Sequence, residues 1–455
     1  MNPIVRYGKR LAAWTAIAAI AAACSLGAAD VRAEITAAPA DAIPLQPILD
    51  AAEPGSVVAL EARDYAGPAT IGKRLTLRGV PGTTVHDGGG DAVVDIRANG
   101  VAVERLSIVQ TRTGEASAVR VSAADAKLAG LELETRSYGI LVRDANRAEI
   151  RDNRIAWTGG GGAKSGSGRT SNGIDLFASH DAVIERNTVY DMLDGIYLEN
   201  SNGAAVADNR VYRSRYGIHG MYTNGMRIVG NHGESNVTGA MVMGVRDAVV
   251  AGNSFRKQSE SVHSQGLLLF DVHDSRIEGN LVEGNRVGIY VELSSGNRLA
   301  DNAVERNFVG VQLIESSDNL FSGNRFVANV IEAEATDSAG NRLEANYWDS
   351  AQGLDLDGDG FSDLSYPINP FYSRLVERTP SFQLFFQSPG MTFLSGLFAA
   401  EADDWARDAA PLMDMPRNAG TERPASGTRN AAAGLIGLAL LGGSLFIIRK
   451  GVQRT

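Results

Sequence analysis

Cysteine is nearly absent from this chain of 455 residues, in which Cys24 is the only one. Cys24 lies inside an N-terminal apolar segment that is typical of an export signal, so the mature chain would contain no cysteine. Without cysteine the protein forms no disulfide bond in any compartment and offers no thiolate to a metal. Any metal that it binds must therefore be held by histidine, methionine or oxygen ligands.

Basic residues are outnumbered by acidic ones. The chain has 43 Lys and Arg against 53 Asp and Glu, which gives a formal net charge of −10. Such an acidic body should not bind nucleic acid through the phosphate backbone. It could attract cations or a basic partner.

Motifs of common enzyme classes are missing as well. The sequence contains no serine-nucleophile elbow and no HExxH helix. The stretch GGGGAKSGSG at 159–168 resembles a phosphate-binding loop, but Ala163 precedes Lys164 where the motif needs glycine. We therefore interpret this stretch as a flexible loop.

The N-terminus predicts a signal peptide over residues 1–33. Arg6, Lys9 and Arg10 precede an apolar run, and a small-residue cleavage site ends at Ala33. The mature body would therefore be exported.

A second apolar run lies near the C-terminus, at residues 431–448. Arg449 and Lys450 follow it, which predicts a membrane span with its C-terminus in the cytoplasm; a buried helix is the alternative. The preceding residues 399–430 are rich in Ala, Pro and Gly, as is typical of a linker. The body would then lie in the periplasm, tethered to the inner membrane.

A repeat of 22 residues runs through the middle of the chain. Two markers follow it, a glycine before an alternating apolar run and an asparagine, and both step by 22 residues except for one step of 27. The glycines are Gly173, Gly195, Gly217, Gly239, Gly266, Gly288 and Gly310, and the asparagines are Asn187, Asn209, Asn231, Asn253, Asn280, Asn302, Asn324 and Asn346. Two independent markers that agree on one insertion indicate a real repeat.

This unit predicts one coil of a right-handed parallel β-helix. It is too short for a helical hairpin with loops, and its apolar residues alternate as in strands. Each unit fits three short strands, and each coil pairs with the next. Stacked asparagines would form a hydrogen-bonded ladder, and the glycine would supply a backbone conformation that other residues resist. We expect an all-β solenoid of about eleven or twelve coils within residues 34–348.

The alternation also separates an inner from an outer face. The first and third residues after each glycine are mostly apolar and should point inward, so the second and fourth should point outward. In two consecutive coils this places His219 beside Met241 and Met221 beside Met243. Neighbouring strands lie about 4.8 Å apart, so these four side chains, the His/Met patch, could close on one soft ion such as Cu(I). The following insertion carries His263, which could lean over the patch.

A docking surface is the other interpretation of the His/Met patch. Methionine side chains adapt to protein partners, and Phe177, Leu268 and Phe270 should be exposed on the same face. Periodicity does not decide between metal binding and docking. The two are compatible if copper passes across a protein interface.

A second candidate metal site lies beyond the repeats, in a predicted extension at 349–398. The stretch LDLDGDGFSD spaces Asp355, Asp357, Asp359 and Asp363 around a glycine turn. Carboxylates at this spacing suit a hard cation with several oxygen ligands, Ca²⁺ first, in a structural role. An acidic turn without metal is the alternative.

Four segments resemble one known family. RYGIHGMYTN (215–224), GNHGESNVTGAMVMG (230–244), NYWDSAQGLDLDGDGFSDLSYP (346–367) and FQSPGMTFL (386–394) are similar to the NosD family of nitrous oxide reductase maturation proteins. The resemblance covers most of residues 40–395. It implies a periplasmic right-handed β-helix that is not itself an enzyme.

The resemblance also implies partners and a cargo. The family works with an ABC transporter, made of a membrane permease dimer and a cytoplasmic ATPase, in assembling the copper sites of nitrous oxide reductase. A lipoprotein copper chaperone assists it. The His/Met patch falls in the family-like segments, and the SPG segment at 388–390 would dock on the permease. The C-terminal span departs from the family pattern.

A polysaccharide lyase or epimerase is the alternative function, because parallel β-helices often carry such sites. Asp175, Tyr197, Glu199 and His219 share the outer face, where acid–base groups could act. Against this, methionines interrupt the row, and the row has no Lys or Arg that would neutralise a uronate.

Overall fold

The computed structural model describes residues 38–158, 171–258, 264–368 and 407–416. Over these residues the chain is nearly all β and forms a right-handed parallel solenoid of about 13 turns, which confirms the predicted fold. Each complete coil contributes one strand to each of three sheets, in the order sheet I, sheet II, sheet III.

The strands of the three sheets have the following bounds, in spatial order. Sheet I contains β2 (Val57–Ala59), β5 (Thr76–Arg78), β8 (Ala102–Glu104), β11 (Lys127–Ala129), β14 (Glu149–Arg151), β17 (Val183–Glu185), β20 (Ala205–Ala207), β23 (Arg227–Val229), β26 (Val249–Ala251), β29 (Arg276–Glu278), β32 (Arg298–Ala300), β35 (Leu320–Ser322), β38 (Arg342–Glu344), β41 (Arg407–Asp408) and β40 (Tyr366–Pro367). Sheet II contains β1 (Ile43–Pro44), β3 (Asp64–Ala66), β6 (Thr84–His86), β9 (Ser107–Gln110), β12 (Glu132–Thr135), β15 (Arg154–Trp157), β18 (Thr188–Tyr190), β21 (Arg210–Tyr212), β24 (His232–Glu234), β27 (Ser254–Arg256), β30 (Leu281–Glu283), β33 (Ala303–Glu305), β36 (Arg325–Val327) and β39 (Tyr347–Trp348). Sheet III contains β37 (Ile331–Thr336), β34 (Val309–Ile314), β31 (Val287–Glu292), β28 (Gln265–His273), β25 (Thr238–Arg246), β22 (Tyr216–Met221), β19 (Asp194–Glu199), β16 (Ile174–Phe177), β13 (Tyr138–Arg143), β10 (Ser117–Val121), β7 (Ala92–Ile96) and β4 (Ala69–Ile71).

The register in sheet III is the one that the repeat predicts. Ile196 pairs with Ile218, and Ile218 pairs with Ala240. These first positions after the glycine are buried, as are the third positions such as Leu198 and Val242. Since a strand turns successive side chains to opposite faces, the second and fourth positions lie on the outer side of the sheet.

The asparagine ladder is present and supports the corner between sheets I and II. The Nδ2 of Asn209 donates to Oδ1 of Asn231 at 3.0 Å, and the same bond recurs from coil to coil. The ladder runs from Asn153 to Asn346, and each of these amides is buried. A second ladder, which sequence analysis missed, contains Asn285, Asn307 and Asn329 at the corner between sheets II and III.

The glycine of the repeat serves a different purpose from the one expected. None of the seven marker glycines has a positive φ, so the backbone conformation does not require glycine. A Cβ on Gly195 would instead lie 2.7 Å from the carbonyl oxygen of Gly217 in the next coil, and Gly173 is equally close to Gly195. The glycine is therefore needed because the coils approach closely at this corner.

Short elements close the two ends of the described solenoid. Helix α1 (Leu45–Ala51) buries Leu45 and Leu49 in the N-terminal part of the core. At the other end β41 pairs with β38 in parallel and with β40 in antiparallel orientation. Residues 407–413, which the sequence placed in a linker, thus take part in the solenoid end.

Several predicted features lie outside the described residues. They are the signal peptide at 1–33, the loop at 159–168, His263, the SPG segment at 388–390 and the apolar run at 431–448. Within the part of the chain that the structure describes, we find no helix with the length and apolarity needed to cross a bilayer.

Candidate metal site

The His/Met patch forms on two adjacent strands of sheet III. His219 on β22 pairs with Met241 on β25, and Met221 pairs with Met243. These Cα partners are the ones that the sequence alignment predicted. The patch lies where the sheet is wide, because β25 and its neighbour β28 each have nine residues.

The patch is less exposed than a bare outer face would be. His219 is 8% exposed, and the three methionines are half-buried. The imidazole of His219 lies edge-on between two tyrosine rings, with ring centres at 5.0 Å from Tyr197 and 4.8 Å from Tyr216. The tyrosines shield the histidine from water and restrict the motion of its ring.

Asp194 contacts His219 directly. Its Oδ2 lies 3.0 Å from Nδ1 of His219, and both of its oxygens accept hydrogen bonds from Arg215 at 2.8 Å. Burial alone would raise the pKa of Asp194, but the bonds from His219 and Arg215 outweigh burial and hold the pKa below its ordinary value. Asp194 is therefore a buried, ionised carboxylate.

The other imidazole nitrogen of His219 has no partner. Nε2 is buried and forms no hydrogen bond with any residue that the structure describes. A buried polar atom left unpaired is destabilising, and an ordered water or a bound ligand at this position would supply the missing partner. Imidazole nitrogen and thioether sulfur are both ligands that suit Cu(I).

Sequence analysis missed Asp194 and Arg215. Asp194 stands immediately before Gly195, and Arg215 two residues before Gly217, so neither is among the positions counted outward from the glycine. The alignment of the 22-residue repeats does contain a signal for Asp194. Extending the alignment to the residue before each glycine would have placed Asp194 in the coil adjacent to His219.

An arginine lies beside the row of acid–base groups on the outer face, contrary to the expectation from sequence. Arg143 does lie on the outer face, with Nη1 at 2.6 Å from Oδ1 of Asp175, and Asn172 donates to the other oxygen at 2.7 Å. Burial raises the pKa of Asp175 more than Arg143 lowers it. The hydroxyl of Tyr197 likewise donates to Glu199 at 2.7 Å. Asp175, Tyr197 and Glu199 are thus each hydrogen-bonded to a neighbouring side chain.

Three exposed apolar side chains, which we call the apolar edge, stand at intervals along the same side of sheet III. Phe177 is exposed, as are Tyr222 next to the His/Met patch and Leu293 farther along. Leu268 and Phe270 are half-buried, and not fully exposed as expected. A contiguous cluster of such side chains is typical of an interaction surface, whereas single ones are common on any protein.

The acidic loop brings three of its four predicted carboxylates together. Ligand oxygens of Asp355, Asp357 and Asp359 all lie within 4.8 Å of one another. Asp363 is outside this group, and its carboxylate accepts the N–H of Leu356 at 2.8 Å. The backbone N–H groups of Gly360 and Gly358 lower the pKa of Asp355.

The chain is similar to known proteins in sequence and in fold. The family model described as "Periplasmic copper-binding protein (NosD)" matches residues 162–356. A protein of Pseudomonas aeruginosa named "Probable ABC transporter binding protein NosD" is 30% identical over 418 residues, which cover 86% of this chain and 94% of that protein.

Solved structures with a similar fold share little sequence with this chain. The A-module of the mannuronan C-5 epimerase AlgE6 of Azotobacter vinelandii is 12% identical, with a TM-score of 0.48 over 63% of this chain and 91% of that one. The surface adhesin PfbA of Streptococcus pneumoniae is 9% identical, with a TM-score of 0.43 over 68% and 89% of the two chains.

Proposed function

The chain belongs to the NosD family, and from that premise we propose that it is a non-catalytic periplasmic accessory protein that handles copper for the maturation of nitrous oxide reductase. It would act with an ABC transporter, as the name of its Pseudomonas aeruginosa relative suggests. Copper is the cargo in this proposal and not a resident cofactor.

One observation carries the proposal. The register places His219 beside Met241 and Met221 beside Met243, and the Nε2 of His219 is buried without a partner in the described structure. A nitrogen lone pair and three thioethers form a neutral, soft set of donors. Such a set favours Cu(I) over Ca²⁺, Mg²⁺ and other hard cations.

The surroundings of the patch are suited to a transient cargo. All four donors are uncharged. Thiolate and carboxylate ligands, by contrast, are anionic and attract a copper cation by their charge. Cu(I) on the His/Met patch would therefore pass readily to an acceptor with anionic ligands. This direction of transfer agrees with an accessory protein that gives its copper to a maturing enzyme.

The apolar edge supplies a place for the copper carrier to dock. Tyr222 directly follows Met221 in the chain, and Phe177 lies on the same edge two coils away. A lipoprotein chaperone that covers this edge would exchange ligands with the His/Met patch at the interface. The permease would meet the C-terminal part of the chain, and movement driven by the ATPase would alter the patch or its partner.

Anaerobic titration of the full chain with Cu(I), against a competing chelator, tests the proposal. The variant has His219, Met221, Met241 and Met243 all changed to Ala. The matched control changes the equivalent outer positions three coils later, Tyr290, Glu292, Gln312 and Ile314, to Ala. We expect one equivalent of Cu(I) on the wild type and on the control, and none on the variant.

Three other results would contradict the proposal or part of it. Equal binding by all three proteins would place the copper elsewhere. No binding by the wild type would make the methionines a docking surface, with the copper held by a partner. Turnover of a polyuronate chain by the same wild-type preparation would contradict a purely accessory role.

A further inference from the structure

Asp194 and Arg215 form a buried pair behind the imidazole of His219. Asp194 is 1% exposed, and the guanidinium of Arg215 reaches both of its oxygens through Nε and Nη2. This two-point contact fixes the plane of the carboxylate. The direction of Oδ2 towards His219 is therefore set by Arg215.

The chemistry of this pair determines which imidazole nitrogen carries the proton. Because the permanently charged guanidinium of Arg215 donates to both oxygens of Asp194, the side chain is a carboxylate, which accepts hydrogen bonds and cannot donate them. The 3.0 Å contact between Oδ2 of Asp194 and Nδ1 of His219 is therefore made by an Nδ1–H group of the histidine. In the neutral ring the lone pair then lies on Nε2, which is the nitrogen left without a partner.

The tyrosines keep the ring in this orientation. The rings of Tyr197 and Tyr216 cross the imidazole at 71° and 72°, one from the strand before and one from the same strand. Rotation of the imidazole by half a turn would have to displace them. Since the interior is closely packed, one orientation is retained.

We propose that Asp194, held by Arg215, is the positioning residue that fixes the Nδ1–H tautomer of His219 and so keeps Nε2 as its metal-binding nitrogen. This inference rests on the proposed function for its consequence, the binding of Cu(I), but the tautomer is a property of the metal-free protein. Carboxylates that orient a ligating histidine in this way typically change metal affinity 10- to 100-fold when they are removed.

The Asp194→Asn variant tests this assignment. With its amide oxygen at the former Oδ1 position, where it accepts a hydrogen bond from Nε of Arg215, its NH₂ group faces His219. That NH₂ group donates to Nδ1, which moves the imidazole proton to Nε2 and removes the lone pair from the metal-binding position. An amide beside a histidine is known to impose the wrong tautomer while leaving the geometry in place.

A matched control lies three residues away. Asp191 is also buried, and Arg213 contacts both of its oxygens at 2.9 Å. The Asp191→Asn variant therefore removes a carboxylate from an equivalent ion pair, whereas the polar contact of His219 is with Asp194. Loss of stability common to both variants would be structural and not specific to the histidine.

The experiment records two-bond ¹H–¹⁵N correlation spectra of the full chain labelled at histidine, without metal. The signals of His219 are assigned with a His219→Gln variant. We expect protonated Nδ1 in the wild type and in Asp191→Asn, and protonated Nε2 in Asp194→Asn. Cu(I) competition on the same proteins should show a 10- to 100-fold loss of affinity in Asp194→Asn alone.

Each failure has a separate meaning. Protonated Nε2 in the wild type overturns the inference without any variant, which matters if Asp194→Asn does not fold. A changed tautomer with unchanged Cu(I) affinity overturns the positioning of a ligand by Asp194. A wild type that binds no Cu(I) refutes the proposed function, and the tautomer spectra still decide whether Asp194 positions His219.

Discussion

Asp408 completes the hydrogen bonds of Asn346, although 62 residues separate them in the chain. Its Oδ2 accepts the backbone N–H of Asn346 at 3.0 Å and the side-chain Nδ2 at 2.9 Å. The same oxygen accepts Nε1 of Trp348 at 3.0 Å. Each asparagine of the ladder donates to the next one, so the last asparagine needs an acceptor from elsewhere, and Asp408 supplies it.

Replacement of Asp408 by Ala should destabilise the C-terminal end of the solenoid. It would leave three buried N–H donors without an acceptor, for which we expect a loss on the order of 3 kcal/mol in the free energy of unfolding. Chemical denaturation followed by tryptophan fluorescence would report it, since Trp348 is one of the donors. The control is Glu344→Ala, an exposed acid on β38, which should change stability by less than about 0.5 kcal/mol. Equal losses in the two variants would contradict the capping role.

Because of the carboxyl group of Glu332, we expect the folded protein to lose stability as the pH rises. Burial raises its pKa from 4.5 to about 7, although the hydrogen bond donated by Tyr366 lowers it in part. The folded state thus favours the neutral acid, whose stabilisation is complete below pH 4.5 and is lost as the pH rises through 7. At about 1.4 kcal/mol per pKa unit, the loss amounts to about 3 kcal/mol.

A Glu332→Gln variant should remove this dependence. Its melting temperature should exceed that of the wild type at pH 8 and approach it at pH 4.5, because glutamine stays neutral and still accepts the bond from Tyr366. Thermal scans across this range provide the measurement. A variant that melts below the wild type at pH 8 would show that the ionised acid is stabilising after all.

Two glycines of sheet III should respond differently to alanine. A Cβ on Gly195 would lie 2.7 Å from a backbone oxygen of the next coil, which cannot move without opening the sheet. A Cβ on Gly220 would meet only the end of the Met226 side chain, which can adopt another rotamer. We expect Gly195→Ala to destabilise by about 3 kcal/mol and Gly220→Ala by about 1 kcal/mol. Similar midpoints in urea for both variants would refute the close-approach explanation.

Calcium binding by the acidic loop is a further prediction. We expect 10 mM Ca²⁺ to stabilise the chain by about 1 to 3 kcal/mol, as for a weak extracellular site. Asp355→Asn and Asp359→Asn should abolish this effect, because both residues belong to the carboxylate group. Asp363→Asn should retain most of it, since that side chain lies outside the group. Melting temperatures with and without EDTA would decide, and no response in the wild type would leave an acidic turn without metal.

The repeat made most of the fold predictable. A marker glycine and a marker asparagine with the same spacing define the coil, and identical spacing forces identical register, since each strand pairs with the one a coil away. For this reason the partners of His219 and Met221 could be named before any coordinates. The count of turns was slightly low, because the first coils lack the asparagine marker.

The chemistry of the candidate site was only partly predictable. The alternation of inner and outer residues says where a side chain points, but not how far its neighbours cover it. His219 was expected on an open face and is in fact enclosed by Tyr197 and Tyr216. Its contact with Asp194 depends on the first residue of β19, directly before Gly195, where period-two reasoning no longer applies.

Sequence alone therefore determined the coil, the register and the group of soft ligands, since these follow from local periodicity repeated along one axis. The tertiary structure decided how the ends of the solenoid are closed and how the imidazole of His219 is held. Asp408 returns from a distant part of the chain to the last coil, and Asp194 reaches across to the next coil. Both contacts depend on distances between side chains at the corners and the end of the solenoid, which no repeat in the sequence encodes.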